Sequence, residues 1–201
     1  GFRNINFDSL LSDYENCVKA FIKAKVDLIL VETVFDTLNA KAALSAIKSI
    51  EQANKIKIPI MISATITDLS GRTLSGQTIE GFYNSIIHAN PISVGLNCAL
   101  GPKELEPYLI ELNRISEVYT SIHPNAGLPN AFGEYDETPD SIAKFAKEWS
   151  ESYYINMIGG CCGTTPEHIK LMSKTVMNKK PRPLRKRSEN LRLSGLEAFN
   201  F

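Results

Sequence analysis

The sequence predicts an α/β fold, a (β/α)8 TIM-type barrel of which this chain supplies about the last five βα units. Five short apolar runs rich in β-branched residues begin 27 to 36 residues apart. They lack alternating polar residues, as do parallel strands that are covered on both faces. Helix-like segments lie between them. No strand is followed by Gly-x-Gly-x-x-Gly or by Gly-x-x-x-x-Gly-Lys, which disfavours an open nucleotide-binding sheet.

The elements alternate along the chain. A helical segment, Phe7–Lys25, precedes the first strand, and the last helix begins in "TPEHI", where Pro in the first turn and a nearby acid are favourable. Eight βα units usually need about 250 residues, so we expect three units to be missing from the front of the barrel. Strands are predicted at 26–33, 58–65, 92–99, 119–126 and 155–162, and helices between them at 37–54, 78–90, 102–117 and 138–151.

The composition is that of a single soluble domain. The chain has 201 residues, of which 43% are hydrophobic and 22% charged. Its 22 basic and 22 acidic residues balance, so nothing attracts it generally to nucleic acid or to anionic lipid. No apolar run approaches the roughly 18 residues of a membrane helix. No secretion leader is visible. We therefore expect a cytoplasmic protein without nucleic-acid or membrane partners.

Cysteine placement indicates a metal site. Cys98 ends the third predicted strand, and Cys161 and Cys162 end the fifth, so their thiols should converge on the C-terminal rim where barrels carry their sites. Three thiolates can hold zinc and leave its fourth position for water or substrate. Neighbouring strand residues point to opposite faces, so the chain must turn sharply at this pair. The glycines within 159–163 should supply that freedom, while Cys17 reads as an ordinary helix-face residue.

Spacing alone leaves three alternatives to an open zinc site. Cys161 and Cys162 could form a strained vicinal disulfide, although geometry and a reducing compartment disfavour it. They could be buried structural cysteines. They could also belong to a closed structural zinc site, with Cys17 or His123 as the fourth ligand.

Several motifs resemble a known family. "GLNCALGP" (95–102) and "GGCCGTTPEHI" (159–169) resemble the homocysteine S-methyltransferase family. "VETVFDTLNAKAAL" (31–44), "SATITDLSGRTLSGQTIEGFYNS" (63–85) and "HPNAGLPNAFGEYD" (123–136) are similar to the homocysteine-binding module of its cobalamin-dependent branch, the methionine synthases. The likeness runs essentially from Arg3 to the end of the chain.

The resemblance implies a metal, a substrate and a methyl donor. It implies one Zn²⁺ per chain, held by Cys98, Cys161 and Cys162, with the homocysteine sulfur at the open position. The sulfur would take a methyl group from methylcobalamin, which is bound by a module outside this chain. Cobalamin- and folate-binding modules of the same enzyme are therefore the expected partners.

The resemblance also implies how homocysteine is held. Glu32, at the end of the first predicted strand, matches the glutamate that holds the substrate ammonium. Ser63, Thr65, Asn97 and the loop 68–78 are candidates for gripping the carboxylate or for positioning the backbone. For these groups, an ordinary turn or loop role is an equal alternative.

Two other functions stay open. The first is a betaine- or S-methylmethionine-dependent homocysteine methyltransferase, because no residue of this chain identifies cobalamin. The second is a zinc-stabilised binding or assembly module, or an inactive fragment, with no catalytic role. Homocysteine binding should distinguish a methyltransferase from such a module, since an open zinc site binds the thiol and a closed site does not.

A basic run, "KKPRPLRKR" at 179–187, divides the predicted domains. It could be a nucleic-acid patch, but no aromatic residues interleave its charges, as base stacking would need. We interpret it as an exposed linker whose prolines end the preceding helix. Residues 1–178 then form the homocysteine-binding barrel portion, and 179–201 lead towards a folate-binding domain, as the resemblance implies.

Overall fold

The computed structural model describes residues 4–201, and its centre is a parallel sheet of five strands in the order β1-β2-β3-β4-β5. No helix within 4–201 is both long and apolar enough to cross a membrane. A short 3-10 helix, Ile87–Ala89, follows α3. The elements are α1 Phe7–Lys23, β1 Ile29–Val34, α2 Thr37–Asn54, β2 Ile60–Ala64, α3 Ile79–Ile86, β3 Ser93–Asn97, α4 Pro102–Ile115, β4 Tyr119–His123, α5 Pro139–Glu151, β5 Met157–Ile158, α6 Pro166–Val176, β6 Arg192–Ser194 and β7 Ala198–Asn200.

The five predicted βα units are confirmed, and the sheet is that of a partial barrel. Among the described residues, β1 and β5 each pair on one side only, so the sheet does not close. A closed eight-stranded barrel therefore stays a prediction. The strands are shorter than the apolar runs suggested, and β5 has only two residues. β2 to β5 end before their predicted bounds because the chain leaves the ladder to form the loops of the C-terminal rim, whereas β1 is shortened at its start and continues to Val34.

Alternate strand residues separate two faces of the sheet. Ile62 and Leu96 lie on the helix side, fully buried in the main hydrophobic core. On the other face Ser63, Gly95 and Ser121 lie in register on β2, β3 and β4. Gly95 is needed for space, since a Cβ there would lie 2.0 Å from the Ser121 hydroxyl. The Ser63 and Ser121 hydroxyls are buried and have no hydrogen-bond partner among the described residues. The side chains at these positions on this face are therefore small or polar.

The segment after α6 returns to the sheet and packs on it. Most of the basic run 179–187 is exposed, as expected, but Arg182 is only 3% exposed. Its guanidinium donates to the carbonyl oxygens of Asn113, Ser116 and Val118. Residues 179–201 are thus not detached from the preceding elements, a contact that the composition of the run did not indicate. The boundary at 178 and a following domain stay predictions.

A hairpin that was not predicted, β6–β7, covers α3. The Gln77 amide, ahead of α3, donates to the Gly195 carbonyl oxygen at 2.9 Å and accepts from the Thr37 hydroxyl at 2.7 Å. Asn84 on α3 donates to the Leu193 carbonyl oxygen at 3.1 Å. These buried amides attach the end of the chain to α3 and to the loop that precedes it.

Candidate metal centre

Cys98 lies immediately after β3, where the chain leaves the sheet. Its φ is +62°, and that of Ala99 is +59°, so two consecutive residues with side chains adopt the left-handed conformation. The Cys98 amide donates to the His123 carbonyl oxygen at 3.1 Å. Left-handed backbone is uncommon for residues other than glycine and is maintained by the surrounding contacts. The end of β3 is therefore bent so that the thiol stands at the rim.

Cys161 and Cys162 lie in a turn that two backbone hydrogen bonds and one backbone–side-chain hydrogen bond hold against the residues after β4. The Cys161 amide donates to the Pro124 carbonyl oxygen at 2.9 Å, and the Cys162 carbonyl oxygen accepts from the Ala126 amide at 2.8 Å. The Cys162 amide donates to the Asn125 side-chain oxygen at 3.1 Å. Asn125, only 3% exposed, was missed in the sequence analysis. The sequence feature that could have indicated its role is its position as a polar residue just after a buried strand.

The structure brings the three predicted thiols together. The sulfur atoms of Cys98, Cys161 and Cys162 all lie within 4.8 Å of one another, and those of Cys98 and Cys162 are 3.7 Å apart. Sulfur atoms about 2.3 Å from a tetrahedral zinc ion are separated by roughly 3.8 Å. Sulfur-only donor sets select zinc or another soft metal. The residues therefore fit the zinc ion that the family resemblance implies.

The geometry opposes two of the alternatives. All four cysteines are free thiols, so Cys161 and Cys162 form no vicinal disulfide. Within residues 4–201 no further Cys, His, Asp or Glu joins the group of three. Cys17 lies on α1 and His123 at the end of β4, and neither belongs to it. The group is thus open on one side rather than closed by a fourth ligand from these residue types.

Two glycines at this turn are required for different reasons. Gly163 has a φ of +78°, and a Cβ there would lie 2.3 Å from the Tyr135 ring. Gly159 is not left-handed, but a Cβ there would lie 2.5 Å from the His123 ring. Backbone freedom, expected of all the glycines here, therefore applies to Gly163, whereas Gly159 provides room for a neighbouring ring.

The loop after β4 is anchored to the start of α6 by a buried histidine. The His168 Nδ1 atom accepts from the Thr165 amide at 3.1 Å, so its Nε2 atom donates to the Glu137 carbonyl oxygen at 2.9 Å. This contact closes the loop that carries Tyr135 over the Cys161–Gly163 turn. His168 stood inside the quoted "TPEHI" motif, but its role depends on tertiary contacts.

Glu32 and Asn97, two of the four predicted substrate contacts, meet at the ends of β1 and β3. The exposed Glu32 carboxylate accepts from the Asn97 amide at 3.2 Å and from the Thr33 hydroxyl at 3.2 Å. Because Asn97 directly precedes Cys98, these contacts lie next to the metal ligands along the chain. The Asn97 side chain is therefore hydrogen-bonded within the protein, to Thr33 and Glu32.

The other two predicted contacts are buried in β2 and just after it. Ser63 is 1% exposed, with the unpartnered hydroxyl already described. Thr65 is 4% exposed, and its hydroxyl donates to the Asn97 carbonyl oxygen at 3.0 Å. A substrate role for either residue stays a prediction.

His123 is a neutral ring beside this cluster. Burial lowers its pKa, and the Glu32 carboxylate opposes that shift. With the pKa below its ordinary value near 6.5, the imidazole carries no charge at neutral pH. The ring therefore contributes shape and polarity to the site without adding a positive charge.

Zinc binding is expected to strengthen with pH. Burial, followed by interaction with Cys98, raises the pKa of Cys161 to about 12. Its thiol is therefore protonated in the metal-free protein across the neutral range and must lose a proton to become a ligand. We expect the zinc association constant to rise at least about tenfold per pH unit from pH 6 to 8. Competition with a chromogenic chelator measures it, and a pH-independent constant would contradict a site that uses Cys161.

Comparisons with known proteins agree with this architecture. A model of the homocysteine S-methyltransferase family matches residues 1–176. Two similar solved structures are those of the homocysteine methyltransferase MmuM from Escherichia coli. Its apo form is 17% identical with a TM-score of 0.67, and its metallated form is 18% identical with a TM-score of 0.70. The matches cover 86% and 87% of this chain but only 58% and 54% of those chains. At sequence identities this low, the two matches support the fold alone.

Proposed function

This chain belongs to the homocysteine S-methyltransferase family, and on that premise we propose that it carries the zinc and homocysteine site of a methionine-forming methyltransferase. The homocysteine sulfur is the group that accepts the methyl. One observation carries the proposal: three thiols converge at the C-terminal end of a parallel sheet, with no fourth Cys, His, Asp or Glu ligand from the described residues. Three protein ligands and an open position are the pattern of catalytic zinc.

The residues of this chain would hold the ion and fix its surroundings. Zinc, when bound by the sulfurs of Cys98, Cys161 and Cys162, lowers the pKa of a thiol ligand and so supplies a nucleophilic thiolate at neutral pH. The three cysteine thiolates exceed the charge of a divalent ion by one, which keeps the substrate sulfur electron-rich. The Asn125 side chain and the backbone of the loop after β4 hold the Cys161–Cys162 turn in place.

Glu32 is the group proposed to hold the other end of homocysteine. A carboxylate binds an ammonium through charge-assisted hydrogen bonds, which are about twice as strong as neutral ones. The Glu32 carboxylate is exposed and oriented by two donors from the chain. An amino acid thiol would thus be held at both ends, whereas a simple thiol would be held only at its sulfur.

Methylcobalamin is the methyl donor that we propose, on the motifs at 31–44, 63–85 and 123–136 described above. It would be delivered by cobalamin- and folate-binding modules outside this chain, as those motifs imply. Exposed apolar side chains on the loops after β2 and β4, Leu69 and Phe132, suit an encounter with such a module. A cytoplasmic location belongs to the same proposal, because a reducing compartment keeps the three thiols free.

Homocysteine binding to the zinc-loaded chain tests the site. We expect a saturable complex at neutral pH that releases a proton, because the thiol binds as a thiolate. Calorimetry in buffers of different ionisation enthalpy measures both the affinity and the proton. Methionine, which has no thiol, is the matched control and should not bind. A zinc-loaded chain that ignores homocysteine would instead indicate the assembly-module alternative.

Product formation tests the donor. The zinc-loaded chain is mixed with homocysteine and, separately, with methylcobalamin, betaine or S-methylmethionine, and methionine is quantified. We expect methionine with methylcobalamin above the reaction without protein. Turnover with betaine or S-methylmethionine in place of methylcobalamin would contradict the proposed donor and leave the zinc and homocysteine site standing.

A further inference from the structure

The end of β1 contains a strained β-bulge. Val31 pairs with Ile62 and Val34 with Ala64, so Glu32 and Thr33 together face the single position that Ser63 occupies on β2. Thr33 has a φ of +53°. A β-branched residue is a clear outlier in that region, and such strain persists only where neighbouring groups enforce it. Bulges commonly re-aim one side chain beside a functional site.

The Asn97 side chain is the group that enforces this bulge. Its oxygen accepts from the Thr33 amide at 3.1 Å, and its nitrogen donates to the Thr33 hydroxyl at 2.8 Å and to the Glu32 carboxylate at 3.2 Å. Asn97 is 2% exposed, and these contacts are partly buried. One amide thus binds the backbone and side chain of the strained residue and the carboxylate next to it.

The bulge determines where the Glu32 carboxylate lies. Val34 belongs to the helix-side core, whereas Glu32 is exposed, although in a regular strand residues two apart would share a face. The extra residue in β1 separates the two. The Thr33 hydroxyl then donates to the same Glu32 oxygen that Asn97 contacts. Both donors fix the carboxylate in one orientation beside β3, which Cys98 directly follows.

We propose that Asn97 is a positioning residue that makes the site selective for amino thiols, by holding the Thr33 bulge and thereby aiming Glu32 at the substrate ammonium. This inference rests on the proposed function, because it concerns how the same site distinguishes homocysteine from other thiols. Of the two roles expected for Asn97, gripping the carboxylate or positioning the backbone, the inference takes the second. The group recognised is a primary ammonium near the thiol.

The test compares two thiols that differ in that group. Homocysteine and 4-mercaptobutanoate share the thiol and the carboxylate, but only homocysteine has an amine. The ratio of their dissociation constants for the zinc-loaded chain, measured by calorimetry after zinc content is checked, reports ammonium selectivity. We expect Asn97→Ala to keep zinc and to reduce this ratio at least tenfold, towards the value of Glu32→Gln. The double variant should show no further loss.

Two further variants separate positioning from general structure. Thr33→Gly removes the left-handed strain and the hydroxyl, so we expect thermal stability to be retained while the ratio falls several-fold. Asn156→Ala removes another structural amide, which accepts from the Thr120 amide and donates to the Arg182 carbonyl oxygen. It should leave the ratio unchanged.

The outcomes distinguish the inference from the function on which it rests. An Asn97→Ala chain that is as selective as the parent, or that weakens both thiols equally, would overturn the inference alone. A parent chain that binds neither thiol would overturn the proposed function and the inference together. If Asn97→Ala does not fold, the ratio of Thr33→Gly decides, and parental selectivity there would overturn the inference.

Discussion

Replacing Cys161 with serine is expected to reduce the zinc content of the purified chain from about one ion to almost none. The Cys161 sulfur lies within 4.8 Å of the other two thiol sulfurs, so it is one of three ligands in the group. A serine hydroxyl remains protonated at neutral pH and is a poor zinc ligand. If the three sulfurs contribute equally to a binding free energy of about 10 kcal/mol or more, losing one weakens the zinc affinity by at least about two-hundredfold.

Cys17→Ser is the matched control for this change. Cys17 is an exposed thiol on α1 and is not a member of the group. We expect its replacement to leave the zinc content unchanged. Atomic emission spectrometry on both variants, after purification under reducing conditions, gives the comparison, and circular dichroism confirms that each is folded. Full zinc content in Cys161→Ser would exclude the Cys98, Cys161 and Cys162 site.

The convergence of the thiols was predictable because it depends on topology. Parallel strands present their C-terminal ends at one edge of a sheet, so cysteines after β3 and β5 must lie on the same rim. The helix bounds were predictable for a similar reason. Asp36 caps α2 and Pro102 begins α4, and both signals are local in the sequence.

The supporting contacts were not predictable, because they join residues far apart in the chain. Asn97 is hydrogen-bonded to Thr33, which lies 64 positions earlier in the chain, and no sequence pattern near either residue indicates a β-bulge. The sequence made Asn97 a candidate for gripping the carboxylate or for positioning the backbone, and its amide is hydrogen-bonded to Thr33 and Glu32. Asn125 likewise binds the Cys162 amide across 37 positions. Sequence patterns indicate which side chains reach the rim, and the fold decides which of them hold the others in place.

The burial of Arg182 likewise could not be predicted from composition. A run of six basic residues in nine reads as an exposed linker whether or not one of its side chains is buried. Within 179–187 only Arg182 is buried, and the other positions are exposed. The composition of the run predicts exposure for all nine residues and therefore does not indicate the buried one. Three of its four acceptors are main-chain carbonyl oxygens, at Asn113, Ser116 and Val118, and the fourth is the Asn113 side-chain oxygen. Main-chain acceptors are present in every sequence, so no side-chain pattern indicates them.

Arg182→Met is expected to lower the free energy of unfolding by about 3 kcal/mol, since it removes a buried cation and the hydrogen bond that it donates to the Ser116 carbonyl oxygen. In the described residues its guanidinium donates to the Asn113 carbonyl oxygen at 3.1 Å and to that of Ser116 at 2.5 Å, at the negative end of the α4 dipole. Methionine fills similar volume but donates no hydrogen bond. Urea denaturation followed by circular dichroism measures the change.

Arg187→Met provides the control from the same basic run. Arg187 is exposed and donates to the Asn90 side-chain oxygen at 3.0 Å, so we expect its replacement to change stability by less than about 0.5 kcal/mol. A large loss for Arg182→Met alone would mean that the segment after α6 folds as part of the sheet domain. Equal small losses would mean that the segment is a linker, and the domain boundary predicted at 178 would then also be a stability boundary.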